Sequence, residues 1–134
     1  MKKMNVIVVY DKDKENVLMC KRAKQPYKGL YNLVGGKIEI ENDGLNEAYR
    51  ELEEETAITR EDIELIHFMN FEYIVQDFVI EVYFGILKHN VELIEEVNIL
   101  EWRSLSDDMC SEEKYAGNRN IGHIISMINN YLNK

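Results

Sequence analysis

A helix that carries four clustered glutamates cannot be buried on every side, and the stretch Gly35 to Ile58, GGKIEIENDGLNEAYRELEEETAI, reads as such a helix behind a glycine pair. Leu45, Ala48, Tyr49, Leu52 and Thr56 fall at helical spacing and form a mostly apolar stripe suited to packing on a sheet. Glu47, Glu51, Glu54 and Glu55 are three or four residues apart, so their carboxylates crowd onto adjacent turns and repel. Glu53, Glu54 and Glu55 also lie near the helix C-terminus, where the macrodipole disfavours an anion by roughly 0.3–1 kcal/mol each. Charge runs are usually solvated faces. Here Gly35 and Gly36 permit backbone conformations closed to other residues, so a carbonyl is expected to face a cation instead of a strand ladder. A carbonyl with several carboxylates is an oxygen-only set, which suits Mg2+ or Mn2+ and not zinc.

The same residues resemble the Nudix box, G-x5-E-x7-R-E-U-x-E-E-x-G-U with U aliphatic. Gly36, Arg50, Glu51, Leu52, Glu54, Glu55 and Ile58 match; Asn42 stands where the first glutamate belongs and Ala57 where the late glycine belongs. The resemblance implies an α+β fold, an α/β/α sandwich around a central mixed sheet. It also implies metal-dependent cleavage of a phosphoanhydride bond in a nucleoside diphosphate-linked molecule, with nucleoside triphosphate pyrophosphohydrolysis as the leading subtype. By carry-over, Glu54 and Glu55 are metal ligands with the Gly35 carbonyl, Glu51 is a ligand or the base for the attacking water, and Arg50 orients the glutamates. Glu51, Glu54 and Arg50 are thus the expected catalytic residues, with Mg2+ as cofactor and Mn2+ as a possible substitute. Glu96, six residues before Trp102, resembles a late metal ligand of some family members, with Glu95 in reserve. Arg22 resembles the arginine that often closes the second strand, and Arg22, Lys37 and Asn118 are the expected substrate-binding residues. The alternative is a Nudix-fold module that binds a nucleotide without turning it over; Asn42 and Ala57 favour it, and the intact Glu51, Glu54 and Glu55 oppose it.

A length of 134 residues fits one domain over 1–134. The net charge of -9 disfavours nucleic-acid polymers and anionic membranes as partners. A phosphorylated small molecule would meet an acidic pocket only through a bridging cation, which agrees with the glutamate cluster. Cys20 and Cys110 form no CxxC pair or disulfide framework, so a reducing cytoplasm is expected. The opening MKKMNVIVVY is too short in its apolar run for a signal peptide, and no membrane span is expected. The expected partner is a small nucleotide substrate, and the expected state is monomer or homodimer. His67, His89 and His123 lack metal-like spacing and a companion nucleophile.

Asn5–Tyr10 and Val17–Arg22 read as a strand hairpin around a polar turn. Lys21, Arg22, Lys24 and Lys28 make a basic cluster, which is either a solvated loop or a phosphate contact. Tyr27 and Tyr31 either stack on a base or pack, with packing favoured. Ile63–Val75 and Phe78–Leu87 read as a long hairpin turning at Gln76 and Asp77, and Ile99–Arg103 as a short strand. A helical turn fits 111–115. Ile121, Ile124, Ile125, Ile128 and Leu132 set a closing helix, ahead of which Asn118 and Asn120 either cap or read a base, with capping favoured.

Overall fold

A computed structural model of the chain describes residues 2–23, 27–39, 43–95, 98–117 and 119–133. Six strands form one sheet: β1 (Lys2–Tyr10), β2 (Asn16–Lys21), β3 (Tyr31–Lys37), β4 (Ile66–Tyr73), β5 (Phe78–Ile86) and β6 (Ile99–Ser104). Their order is β4-β5-β1-β3-β2-β6, with β1 and β5 parallel and the other neighbours antiparallel, so the sheet is mixed. Helices α1 (Gly44–Thr56) and α2 (Asn120–Leu132) cover its two faces.

The period-2 alternation of β1 decides which side chain meets which helix. Ile7 and Val9 join Leu18, Val34 and Tyr83 beneath Ala48 and Leu52 of α1. Val8 and Tyr10 join Val17, Met19, Val82 and Phe84 beneath Ile121, Ile124, Ile125 and Ile128 of α2. A strand covered on both faces must be apolar on both, which is why β1 and β5 are near-continuous hydrophobic runs. Among the described residues, no helix is long and apolar enough to cross a membrane.

The expected β1–β2 hairpin is corrected. Asp11 closes the turn by accepting the backbone N–H groups of Glu15 (2.8 Å) and Asn16 (3.1 Å) and the Asn16 side chain (2.7 Å). The two strands pair only at Tyr10↔Val17, because β3 runs between them and takes the ladder of each. The expected β4–β5 hairpin forms, but its first arm, β4, is shorter than the expected Ile63–Val75, and its turn spans 74–77 instead of Gln76 and Asp77 alone. Tyr31 and Tyr115 pack together at 5.9 Å between ring centres, and Arg103 lies 4.4 Å from the Tyr31 ring, in keeping with packing. Of the cap expected from Asn118 or Asn120, Asn118 lies outside the described residues and the Asn120 part is corrected. Arg119 is the N-cap residue without a side-chain cap bond, and Asn120 Nδ2 donates instead to Tyr73 Oη at 3.2 Å.

Candidate functional site

Helix α1 begins after Asp43 and ends at Ala57, which takes the left-handed conformation (φ 68, ψ 8) and donates its N–H to the Glu53 carbonyl. Its buried face differs from the expected stripe. Leu45 is 42% exposed, while Glu47, Ala48, Leu52 and Thr56 are buried. The helix is rotated so that Gly44 meets the sheet, where any Cβ would press on the Glu81 carboxylate and Tyr83 hydroxyl. That rotation brings Glu47 inward and leaves Leu45 outside. Glu47 belongs to the solvated acidic face in the sequence reading, and this too is corrected: it is only 3% exposed.

A carboxylate this deep needs a partner, and Arg50, one turn on, supplies it. Arg50 Nε donates to Glu47 Oε1 at 2.9 Å and Nη2 to Glu47 Oε2 at 2.8 Å, a bidentate fork. The same guanidinium reaches Glu54 Oε1 through Nη1 at 2.8 Å and Glu51 Oε1 through Nη2 at 3.1 Å. Arg50 hydrogen bonding holds the Glu47 carboxyl below its usual pKa against the opposing effect of burial. Glu47 in turn is the main cause of the raised Arg50 pKa.

The glycine pair lies inside β3 and within the ladder, with Gly35 opposite Val6 and Gly36 opposite Asn5. The pair itself thus stays within the strand, and its glycines are required by close approach. Gly35 has φ 149 and a Cβ there would collide with the Asn5 carbonyl. A Cβ on Gly36 would stand 3.1 Å from Glu51 Oε2, so its absence lets the Glu51 carboxylate rest against the strand. The Gly35 backbone amide faces the Glu55 carboxyl and lowers its pKa. Gly36 N–H donates to Asn5 Oδ1 at 3.0 Å.

Burial raises the Glu55 pKa to about 7, with added repulsion from Glu51 and Glu54 and partial relief from the Gly35 amide. Glu51 is also shifted upward, chiefly by burial, with Arg50 opposing and Glu54 reinforcing. The structure thus brings Gly35, Gly36, Arg50, Glu51, Glu54 and Glu55 together. Burial raises the Cys20 thiol to about 11, with Glu55 raising it further and Arg22 lowering it, so Arg22 and Glu55 both act on the end of β2. Lys37, at the end of β3, instead joins Lys2 and Lys3 around a cavity of about 670 Å³. Glu96 and Asn118 lie outside the described residues, as does Asn42.

The donor chemistry fits a hard divalent cation, because Glu51, Glu54 and Glu55 offer only oxygen. Among the described residues, however, no three His, Cys, Asp or Glu side chains already converge as a cage. Arg50 accounts for this by drawing Glu51 and Glu54 to itself, and the Glu54 side chain, 61% exposed, is placed to swing away.

In the sequence Glu47 stood only within the acidic cluster, with no role of its own, and Asn5 was missed. Glu47 had a local signal, its i,i+3 spacing to Arg50. Asn5 had a weaker one, a polar residue heading an apolar strand. It is 1% exposed, and its Nδ2 has no hydrogen-bond partner among the described residues. A buried donor left unmade costs roughly 1–3 kcal/mol, so this group beside Gly36 is suited to an oxygen ligand.

Solved structures share the fold at low identity. A Caenorhabditis elegans Ap4A hydrolase has TM-score 0.77 and 18% identity, covering 98% of each chain. The NUDIX domain of Shewanella oneidensis NrtR, complexed with ADP ribose, has TM-score 0.73 and 17% identity over 96% of this chain and 87% of its own. A MutT described from Aliivibrio salmonicida and Vibrio cholerae has TM-score 0.71 and 19% identity over 96% of this chain and 98% of its own. No curated protein sequence matches significantly. The NUDIX domain family model matches residues 1–121, which include the glycine pair, the Arg50 fork and all the clustered glutamates, and the chain therefore belongs to the Nudix family.

Proposed function

We propose that this Nudix hydrolase cleaves a nucleoside triphosphate with water to give a nucleoside monophosphate and pyrophosphate. The observation that carries the reading is the set Glu51, Glu54 and Glu55 on one helix face, left in anionic excess after Arg50 has paired with Glu47. Such an excess is costly at a helix C-terminus and serves no packing purpose.

Two cavities support a nucleotide substrate. One, of about 250 Å³, is lined by Phe71, Tyr73, Ile80, Asn120, His123, Ile124 and Met127, aromatic and amide groups suited to the face and edge of a base. The other carries Lys37, Lys2 and Lys3, cations suited to phosphate. Tyr73 and Phe78, stacked at 4.6 Å, contribute one ring to each cavity. Relatives of this fold bind ADP ribose or hydrolyse Ap4A, which share a nucleoside diphosphate unit.

In this reading Mg2+, or Mn2+ in its place, would be held by the Gly35 carbonyl, Glu51, Glu54, Glu55 and Glu96, neutralising the phosphates and making water easier to deprotonate. Glu51, its pKa raised by burial, accepts the proton of the attacking water. Arg50 holds Glu51 and Glu54 in register, Arg22 and Lys37 bind phosphate oxygens, and Asn118 contacts the nucleoside. A reducing cytoplasm is the proposed setting, both cysteines being free thiols. The lack of a ready cage among the described residues favours the second reading, a nucleotide-binding module without turnover.

A hydrolysis screen with Mg2+ and Mn2+ over nucleoside triphosphates, ADP-ribose, nucleotide sugars and dinucleoside polyphosphates separates the two. Monophosphate and pyrophosphate are the expected products of a triphosphate. Diphosphate and orthophosphate as the only products would rule out the pyrophosphohydrolase subtype, and tightened binding without turnover would establish the module.

A further inference from the structure

We propose that Glu47, inside the helix, is the residue that anchors Arg50 in this chain, where the glutamate of the family pattern at position 42 is replaced by Asn. The function part of this rests on the hydrolase reading; the anchoring part does not. Position 42 is Asn in this chain, a neutral side chain that cannot cancel a guanidinium charge. Glu47 makes the bidentate fork to Arg50 at 2.9 and 2.8 Å and is 3% exposed. The Glu39 N–H also donates to Glu47 Oε2 at 3.3 Å, tying the anchor to the segment leaving β3.

Charge balance gives this fork its importance. Among the described residues Arg50 touches three carboxylates, and its single positive charge can be cancelled by only one of them. Because the buried fork to Glu47 takes that charge, Glu51 and Glu54 keep their own for a divalent cation. Without Glu47, the guanidinium would fall wholly onto Glu51 and Glu54 and compete with the cation for the same oxygens. Glu47 is therefore a positioning residue: it acts on the ligands through Arg50 and touches no substrate.

The test compares the parent, Glu47→Gln, and Glu47→Gln combined with Asn42→Glu. Mn2+ affinity is measured without nucleotide, and hydrogen exchange of the Arg50 Nε–H is followed by NMR without metal. Glu47→Gln is expected to weaken Mn2+ binding at least about tenfold, to speed Nε–H exchange, and to lower kcat about thirtyfold with KM within threefold of the parent. Adding Asn42→Glu is expected to return Mn2+ affinity and exchange to within about threefold of the parent, which no merely structural role of Glu47 explains. Parent-like Mn2+ affinity in Glu47→Gln, or a loss that Asn42→Glu does not repair, overturns the proposal. If Glu47→Gln fails to fold, recovery of the fold by Asn42→Glu supports it and continued failure overturns it. A parent that turns over no nucleotide refutes the hydrolase reading alone, since the Mn2+ and exchange measurements still decide the anchoring.

Discussion

Replacing Ala57 with glycine is expected to stabilise the protein. Ala57 closes α1 in the left-handed region (φ 68, ψ 8), where its Cβ approaches the following carbonyl. This conformation costs a residue with a Cβ roughly 1–2 kcal/mol, and glycine adopts it freely. Against that gain, glycine gives the unfolded chain extra entropy of about 0.4–1 kcal/mol. The cap bond from the residue 57 N–H to the Glu53 carbonyl is backbone-only and survives. The net gain is about 0.5–1 kcal/mol, which for a domain of this size raises Tm by roughly 2–4 °C. Thermal melts and urea titrations of the metal-free parent and Ala57→Gly check this, and kcat should stay within about threefold because no glutamate is altered. A Tm equal to or below the parent's would mean that the half-buried methyl contributes more by packing than its backbone costs, and the strain argument would fail.

Glu54→Gln and Glu55→Gln should each lower turnover at least about a hundredfold, a few kcal/mol of transition-state stabilisation, while metal-free Tm holds or rises because a repelling charge is gone; parent-like rates in both would refute the ligand assignment. Glu55, with its pKa raised to about 7, is stabilising while protonated, so its contribution is complete below the usual carboxylate range and lost as pH rises through about 7. Discounted for solvent screening, that loss is about 1–2 kcal/mol in denaturant titrations of metal-free protein from pH 5 to 8, and it should vanish in Glu55→Gln. Because a cation displaces the same proton, Mg2+ affinity should rise with pH across that window, and a flat profile in calorimetry would refute the shift. Gly36→Ala, whose Cβ would meet the Glu51 carboxylate at 3.1 Å, should lower kcat in steady-state assays while thermal melts keep a single cooperative transition. Gly35→Ala, which drives a methyl into the Asn5 carbonyl, should destabilise by at least about 2 kcal/mol in the same melts.

Features fixed by local spacing were legible in the sequence. The isoleucines of α2, the β-branched run of β1 and the β4–β5 hairpin all declare themselves within a few residues. The box residues Arg50, Glu51, Glu54 and Glu55 likewise stand together because one helix carries them. What could not be read depends on partners far away in the chain. The phase of α1 is set by Gly44 against Glu81 and Tyr83, so hydropathy alone favoured Leu45 over Glu47 as the inward residue. The company of Asn5 depends on Gly36 across the sheet, and the separation of β1 from β2 depends on β3 passing between them.

The parallel pairing of β1 with β5 has a kinetic consequence. Lys2 meets Phe78 and Tyr10 meets Ile86, so the middle of the sheet closes only when most of the chain is present. The entropy of closing so long a loop must be paid before the central strands reward it, which places such folds among the slower single domains, in milliseconds to seconds. On the ribosome, β1 through α1 would emerge with the apolar faces of β1 uncovered and the glutamates of α1 still repelling one another. Chaperone dependence should therefore be greatest for nascent chains that stop short of Ile86 and fall sharply once β5 is available.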